Sequence, residues 1–107
     1  MVKDILTTAG VNYKKARFAA PPSGSYAVYT DDIETDGPDG INAIFKHHIT
    51  VELYESQPDD ATEAAIEAAI DAAGLVWTKQ DRFWIQTEQR YQVIYEFEYI
   101  EKRRITT

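Results

Sequence analysis

Two hydrophobic periods alternate along this chain. Val2, Ile5, Leu6 and Ala9 recur at helical spacing and Gly10 follows, which predicts a short N-terminal helix. Residues Asn12–Ser25 show neither period and read as irregular. They hold Tyr13, Phe18 and the Pro21-Pro22 pair, which stiffens an extended segment. Ser25–Ile33 reads as a strand with apolar groups on both faces, including Tyr26, Val28 and Tyr29. Asp31–Asn42 follows as a loop rich in Asp, Gly and Pro.

Strict alternation then takes over. Phe45, His47, Ile49, Val51 and Leu53 interleave with Lys46, His48, Thr50, Glu52 and Tyr54, so Phe45–Glu55 reads as a half-buried strand. Asp59–Gly74 returns to the helical period. Asp59 and Asp60 are N-cap candidates, Asp60-x-x-Glu63 fits a capping box, and Gly74 stands where a C′ residue belongs. Ile66 and Ile70 share one face of this helix with Thr62, Ala65, Ala69 and Ala73. Asp60, Glu63, Glu67 and Asp71 share a flank, and Ala61, Ala64 and Ala68 form a smooth third face. Ile66 and Ile70 are expected to close onto the Phe45–Glu55 strand.

Leu75–Lys79 begins another strand, and Phe83–Thr87 is apolar without a clear period. Tyr91–Glu101 alternates again, with Tyr91, Val93, Tyr95, Phe97 and Tyr99 on one side. The order predicts one α+β domain over residues 1–107. It has a mainly antiparallel sheet of four to five strands, with the N-terminal helix and the central helix (59–74) packed on it.

Charge changes this picture in two places. The net charge of −7 disfavours a general nucleic-acid binder, which would be basic. The acids are also concentrated: Asp31 to Asp71 holds twelve acids and one base, Lys46, between basic ends that include Lys14, Lys15, Arg17 and Lys102-Arg103-Arg104. Such a layout suits head-to-tail contacts between copies. On the central helix, Glu63, Glu67 and Asp71 form an i, i+4 ladder of like charge, which disfavours the isolated helix.

Catalytic chemistry is not visible. There is no cysteine, hence no thiol nucleophile or thiolate metal site. Asp32-x-Glu34-x-Asp36-Gly37 begins a calcium-loop spacing, but Pro38 and Ala43 stand where the seventh and twelfth ligand positions fall. His47 and His48 are adjacent in a strand and point to opposite faces, so they do not share one metal. Glu96 and Glu98 sit on one strand face, where pairing with Lys or Arg is favoured over acid–base work. The aromatics Trp77, Trp84, Tyr91, Tyr95, Phe97 and Tyr99 lack the interleaved bases of a nucleotide-stacking platform. No cofactor or metal is expected. Neither a signal peptide nor an apolar membrane span is legible, so the expectation is a soluble chain made in the cytoplasm.

Taken in order, these segments resemble the small tail-completion, or tail-terminator, proteins of long-tailed bacteriophages and prophages. The resemblance is carried by Phe18-Ala-Ala-Pro-Pro22 leading into Tyr26-Ala-Val-Tyr29, the acidic 31–42 segment and His48–Glu55. It continues through the acidic helix, Gly74-Leu-Val-Trp77 and Tyr91–Tyr99. It implies a structural virion protein of the tail or neck, assembled in the host cytoplasm. Such a protein forms a homo-oligomeric ring, typically a hexamer, that caps the head-proximal end of the tail tube. Its implied partners are the major tail tube protein and the head–tail connector, with DNA passing through the middle. On that basis Glu63, Glu67, Asp71, Asp36 and Asp39 are the candidate acidic surface towards lumen or partner. Ala61, Ala64, Ala68, Pro21, Pro22 and Tyr29 are the candidate subunit contact. A head-side connector ring is the nearest alternative, and a small acidic inhibitor or immunity-type protein is the alternative from another class.

Overall fold

The computed structural model describes residues 1–36 and 42–104. Eight elements follow one another: α1 (Val2–Ala9), β1 (Asn12–Lys15), β2 (Tyr26–Asp36), β3 (Asn42–Glu55), α2 (Asp60–Ala72), β4 (Trp77–Lys79), β5 (Phe83–Ile85) and β6 (Arg90–Arg104). The class is α+β, as expected. The sheet has six strands rather than four or five, in the order β1-β2-β3-β6-β4, with β5 also on β6. All pairs are antiparallel except β1–β2, which is parallel.

Three boundaries differ from the sequence expectation. β1 lies inside the stretch read as irregular. Its sequence, NYKK, has no apolar alternation, and its extended state comes from pairing with Tyr26–Tyr29. The strand ends where Ala16 takes a φ of +69° and turns the chain away. The 31–42 segment is not one loop. β2 runs on through Asp36, paired with β3 to the register Asp36↔Ile44, because ladder pairing overrides the weak strand propensity of Asp and Glu. Extended backbone across Asp32, Glu34 and Asp36 cannot also be a calcium loop. The third difference is the cap of α2, made by Asp59 alone: its carboxylate accepts from the Thr62 amide, its other oxygen from the Thr62 and Ser25 hydroxyls. Glu63, expected to close a capping box with Asp60, points into the protein instead.

The register stacks the core in rows. Ala27–Leu53–Val93, Tyr29–Val51–Tyr95 and Asp31–Ile49–Phe97 run across β2, β3 and β6 on one sheet face. Val2, Ile5 and Leu6 of α1 and Ile66, Ala69 and Ile70 of α2 close onto those rows in one cluster. The expected seat of Ile66 and Ile70 on the sheet is therefore observed. Gly10 ends α1 in the left-handed region at φ +76°. On the opposite sheet face, Tyr26 and Val28 are also buried, with Phe18 edge-on to Tyr26 at 5.2 Å and Tyr54 stacked on it at 5.1 Å.

β2, β3 and β6 outrun the helices. The molecule is 50 Å long and 28 by 21 Å across, and the buried rows end near Ile49. Beyond them the three strands continue as an arm, from Asp32 on β2, His48 on β3 (counting back) and Glu98 on β6.

Candidate functional site

The acidic flank of α2 is drawn into the chain. β4 and β5 share the outer edge of β6, but their registers differ by one residue: Lys79 pairs with Tyr95, and Phe83 with Gln92. One extra residue between them makes a bulge, which shifts side-chain parity. Trp77 and Lys79 before it, and Arg82 and Trp84 after it, thereby reach the helix-covered face.

These side chains meet the ladder one rung at a time. Arg82 binds Asp60 at 2.8 Å, Glu63, and Glu55 at 3.1 Å. Lys79 bridges Glu63 at 2.9 Å and Glu67 at 2.7 Å. The Tyr95 hydroxyl donates to Glu67 at 2.7 Å, and the Trp77 indole N–H to Asp71 at 2.8 Å. The like-charge cost along the helix is thus offset by counter-charges from a distant strand.

Glu55 and Glu63 form the deepest pair. Glu55 is 0% exposed and Glu63 5% exposed. Burial and the neighbouring Glu63 carboxylate push the Glu55 carboxyl up to about 7. Burial pushes Glu63 the same way, but its bonds to Glu55, Arg82 and Lys79 prevail and hold it below the usual range. Below about pH 7 the proton of the pair sits on Glu55 and the charge on Glu63.

The adjacent histidines sit in two carboxylate clamps on opposite faces of β3. His47 is buried, with Nδ1 2.8 Å from Asp31 of β2 and Nε2 3.0 Å from Glu101 of β6, and it stacks on Tyr99 at 4.3 Å. Burial alone would lower its pKa, but the two carboxylate hydrogen bonds raise it. His48 has Nδ1 2.8 Å from Glu98 of β6, while its Nε2, 3.3 Å from Glu34 of β2, is buried without a hydrogen bond. Lys46 also reaches Glu98, at 3.5 Å. Glu98 therefore finds bases, as its strand position led one to expect.

Acids also line the sheet face away from the helices, where Lys46 and Lys102 stand among them. Register puts Asp32 and Glu34 of β2, Glu52 of β3 and Glu96 and Glu98 of β6 on it, with Asp32, Glu34, Glu96 and Glu98 exposed. A groove of about 760 Å³ crosses it, lined by Asp32, His48, Thr50, Glu96 and Glu98 and walled by Gly74–Val76. No grouping that suits a metal ion is found among the described residues. No helix among them is long and apolar enough to cross a membrane.

The residues singled out from sequence fall in different places. Glu63 and Glu67 belong to the internal ion-pair cluster, so they do not form a free acidic stripe; Asp71 remains exposed. Asp39 and the Asp36 side chain lie outside the described residues. Ala61, Ala64 and Ala68 are exposed on α2. Pro21 is exposed, and Pro22 is half-buried, its carbonyl accepting from Arg90 at 2.8 Å. Tyr29, expected at a subunit contact, is 3% exposed and packs in the core beside Tyr13. Sequence reasoning missed Arg82, whose inward turn depends on the bulge. It also missed Glu55, whose odd number in the alternating β3 pattern was the signal that it faces inward.

No protein-family model matches the sequence, and no curated protein matches it. A search of solved structures gives a chain in the structure of the virion of a native gene transfer agent particle, with a TM-score of 0.57 at 16% identity. The match covers 88% of this chain and 81% of that chain. The protein therefore shares its fold with a component of that virion structure.

Proposed function

We propose that this chain is a structural component of a phage-like particle, and more narrowly the ring that ends the tail tube and joins it to the head connector. The observation that carries the reading is the likeness of nearly the whole chain to a chain of a gene transfer agent virion. The role is assembly rather than catalysis. In support, Glu63 and Glu67 are ion-paired to Lys79 and Arg82, Glu55 is hydrogen-bonded to Arg82, and His47 is hydrogen-bonded to Asp31 and Glu101, contacts that hold strands and helix together.

Within that reading, the lumen-facing surface is the uncovered sheet face rather than the flank of α2. Its exposed carboxylates Asp32 and Glu96 would repel the phosphates of passing DNA and limit sticking, with Glu34 and Glu98 contributing less because His48 and Lys46 stand beside them. Ala61, Ala64 and Ala68 on α2 and Pro21 remain the candidate subunit contacts outside the sheet. The ring is taken as a hexamer, with the tube protein on one side and the connector on the other.

Deleting the gene in a particle-producing host tests this. The expected micrographs show tubes of uncontrolled length and heads without tails, with rescue by the wild-type gene. Tails of normal length that fail only to meet heads would move the protein to the head side of the joint. Normal particles would overturn the reading.

A further inference from the structure

The arm ends in two open edges of opposite charge. β1 covers β2 only at Tyr26–Tyr29, and β4 and β5 cover β6 only at 90–92 and 95–97. Among the described residues, no strand pairs the outer side of β2 beyond Tyr29 or that of β6 beyond Phe97. The Ala16 amide donates to the Tyr29 carbonyl, and the Gln80 amide to the Ile94 carbonyl. Backbone groups alternate sides along a strand, so the outward groups are those of Asp31, Ile33 and Thr35 on β2, and of Glu98, Ile100 and Lys102 on β6. Such edges invite another strand. Ile33 and Ile100, one on each, are 51% and 62% exposed.

Three facts say which strand fits. Thr30–Asp36 (TDDIETD) carries four acids and no base, whereas Glu98–Arg104 (EYIEKRR) carries three bases and two acids. β2 and β6 run in the same direction, because each is antiparallel to β3. Asp36 and Lys102 stand level, each paired with Ile44. A two-fold contact would set β2 against β2, acid on acid. Pairing β2 with β6 of another copy sets acid against base and repeats in one direction.

We propose that the free edge of β2 in one copy pairs in parallel with the free edge of β6 in the next, so that the three-stranded arms join into one continuous sheet. The proposal deepens the ring reading and rests on it.

Mass photometry and sedimentation test it, with circular dichroism as the check on folding. Asp32→Lys with Glu34→Lys should weaken the wild-type oligomer at least tenfold. Adding Lys102→Glu and Arg104→Glu to the same chain should restore it, because the lysines introduced on β2 then meet the glutamates introduced on β6. Ile33→Pro removes an outward N–H without touching charge or the β2–β3 ladder, and should also dissociate the oligomer. An oligomer unaffected by the β2 changes or by Ile33→Pro, or a loss that the β6 changes do not restore, overturns the edge pairing while leaving the ring. A wild-type chain that stays monomeric overturns both.

Discussion

Glu55 and Arg82 lie 27 residues apart in sequence and 3.1 Å apart in space, under the first turn of α2. Their meeting ties β3, the β4–β5 bulge and the helix N-terminus into one unit. Arg82→Met removes the cation from Glu55, Glu63 and Asp60 together. Breaking a buried pair by deleting one partner costs about 3–5 kcal/mol. Arg82 is itself partly exposed, so the expected loss is at the lower end, about 3 kcal/mol. Urea unfolding checks it, and an unchanged midpoint would mean that the cluster does not hold the helix.

The Glu55 carboxyl gives a pH dependence of defined sign. Its folded pKa, about 7, is above its ordinary value, so the folded state binds the extra proton. That contribution is fully present below about pH 4.5 and is lost as the pH rises through 7. Glu63, held low, works in reverse: its contribution is present above about pH 4.5 and is lost as the pH falls. Stability should therefore peak in mild acid and decline on the order of 1 kcal/mol towards pH 8. Glu55→Gln keeps a donor for Glu63 and an acceptor for Arg82, and should flatten the neutral limb of this profile. An undiminished slope in that variant would assign the proton elsewhere.

His47 loses its contribution on the alkaline side of its ordinary pKa. With the folded value raised, its stabilisation is fully present below about pH 6.5 and is lost as the pH rises through the folded pKa. Imidazole nitrogen NMR should find it titrating above 6.5. Asp31→Asn should lower that value, since Asp31 makes the shorter contact. Titration at or below 6.5 in the wild type would contradict the clamp.

Arg90 holds the Pro22–Gly24 turn by donating to the carbonyls of Pro22, Ser23 and Gly24 at 2.8, 3.1 and 2.8 Å, with its guanidinium 4.9 Å from the centre of the Tyr26 ring. Arg90→Ala should cost about 1–3 kcal/mol and speed amide exchange in residues 16–25 before it affects the sheet. Uniform exchange changes across the chain would instead make Arg90 part of the global fold.

The fold was legible where one period runs unbroken. β3 alternates over 45–55 and β6 over 91–100, and Ile66 and Ile70 mark the buried side of α2, so their packing followed from pattern alone. β1 escaped because NYKK carries no pattern and is extended only through β2. The outer part of β2 escaped because its acids imitate a loop, while its ladder with β3 decides its state. The acidic ladder was legible as a ladder, but its counter-ions were not. Lys79 is twelve residues from Glu67, Arg82 is 27 from Glu55, and the bulge that aims Arg82 has no sequence mark.

Sedimentation velocity of the purified chain, from low micromolar to hundreds of micromolar, tests the central claim most directly. The account predicts a closed oligomer of fixed mass, with a sedimentation coefficient that stops rising once the ring is complete. A single monomer peak near 12.2 kDa at every concentration would contradict it and favour a small acidic binding protein.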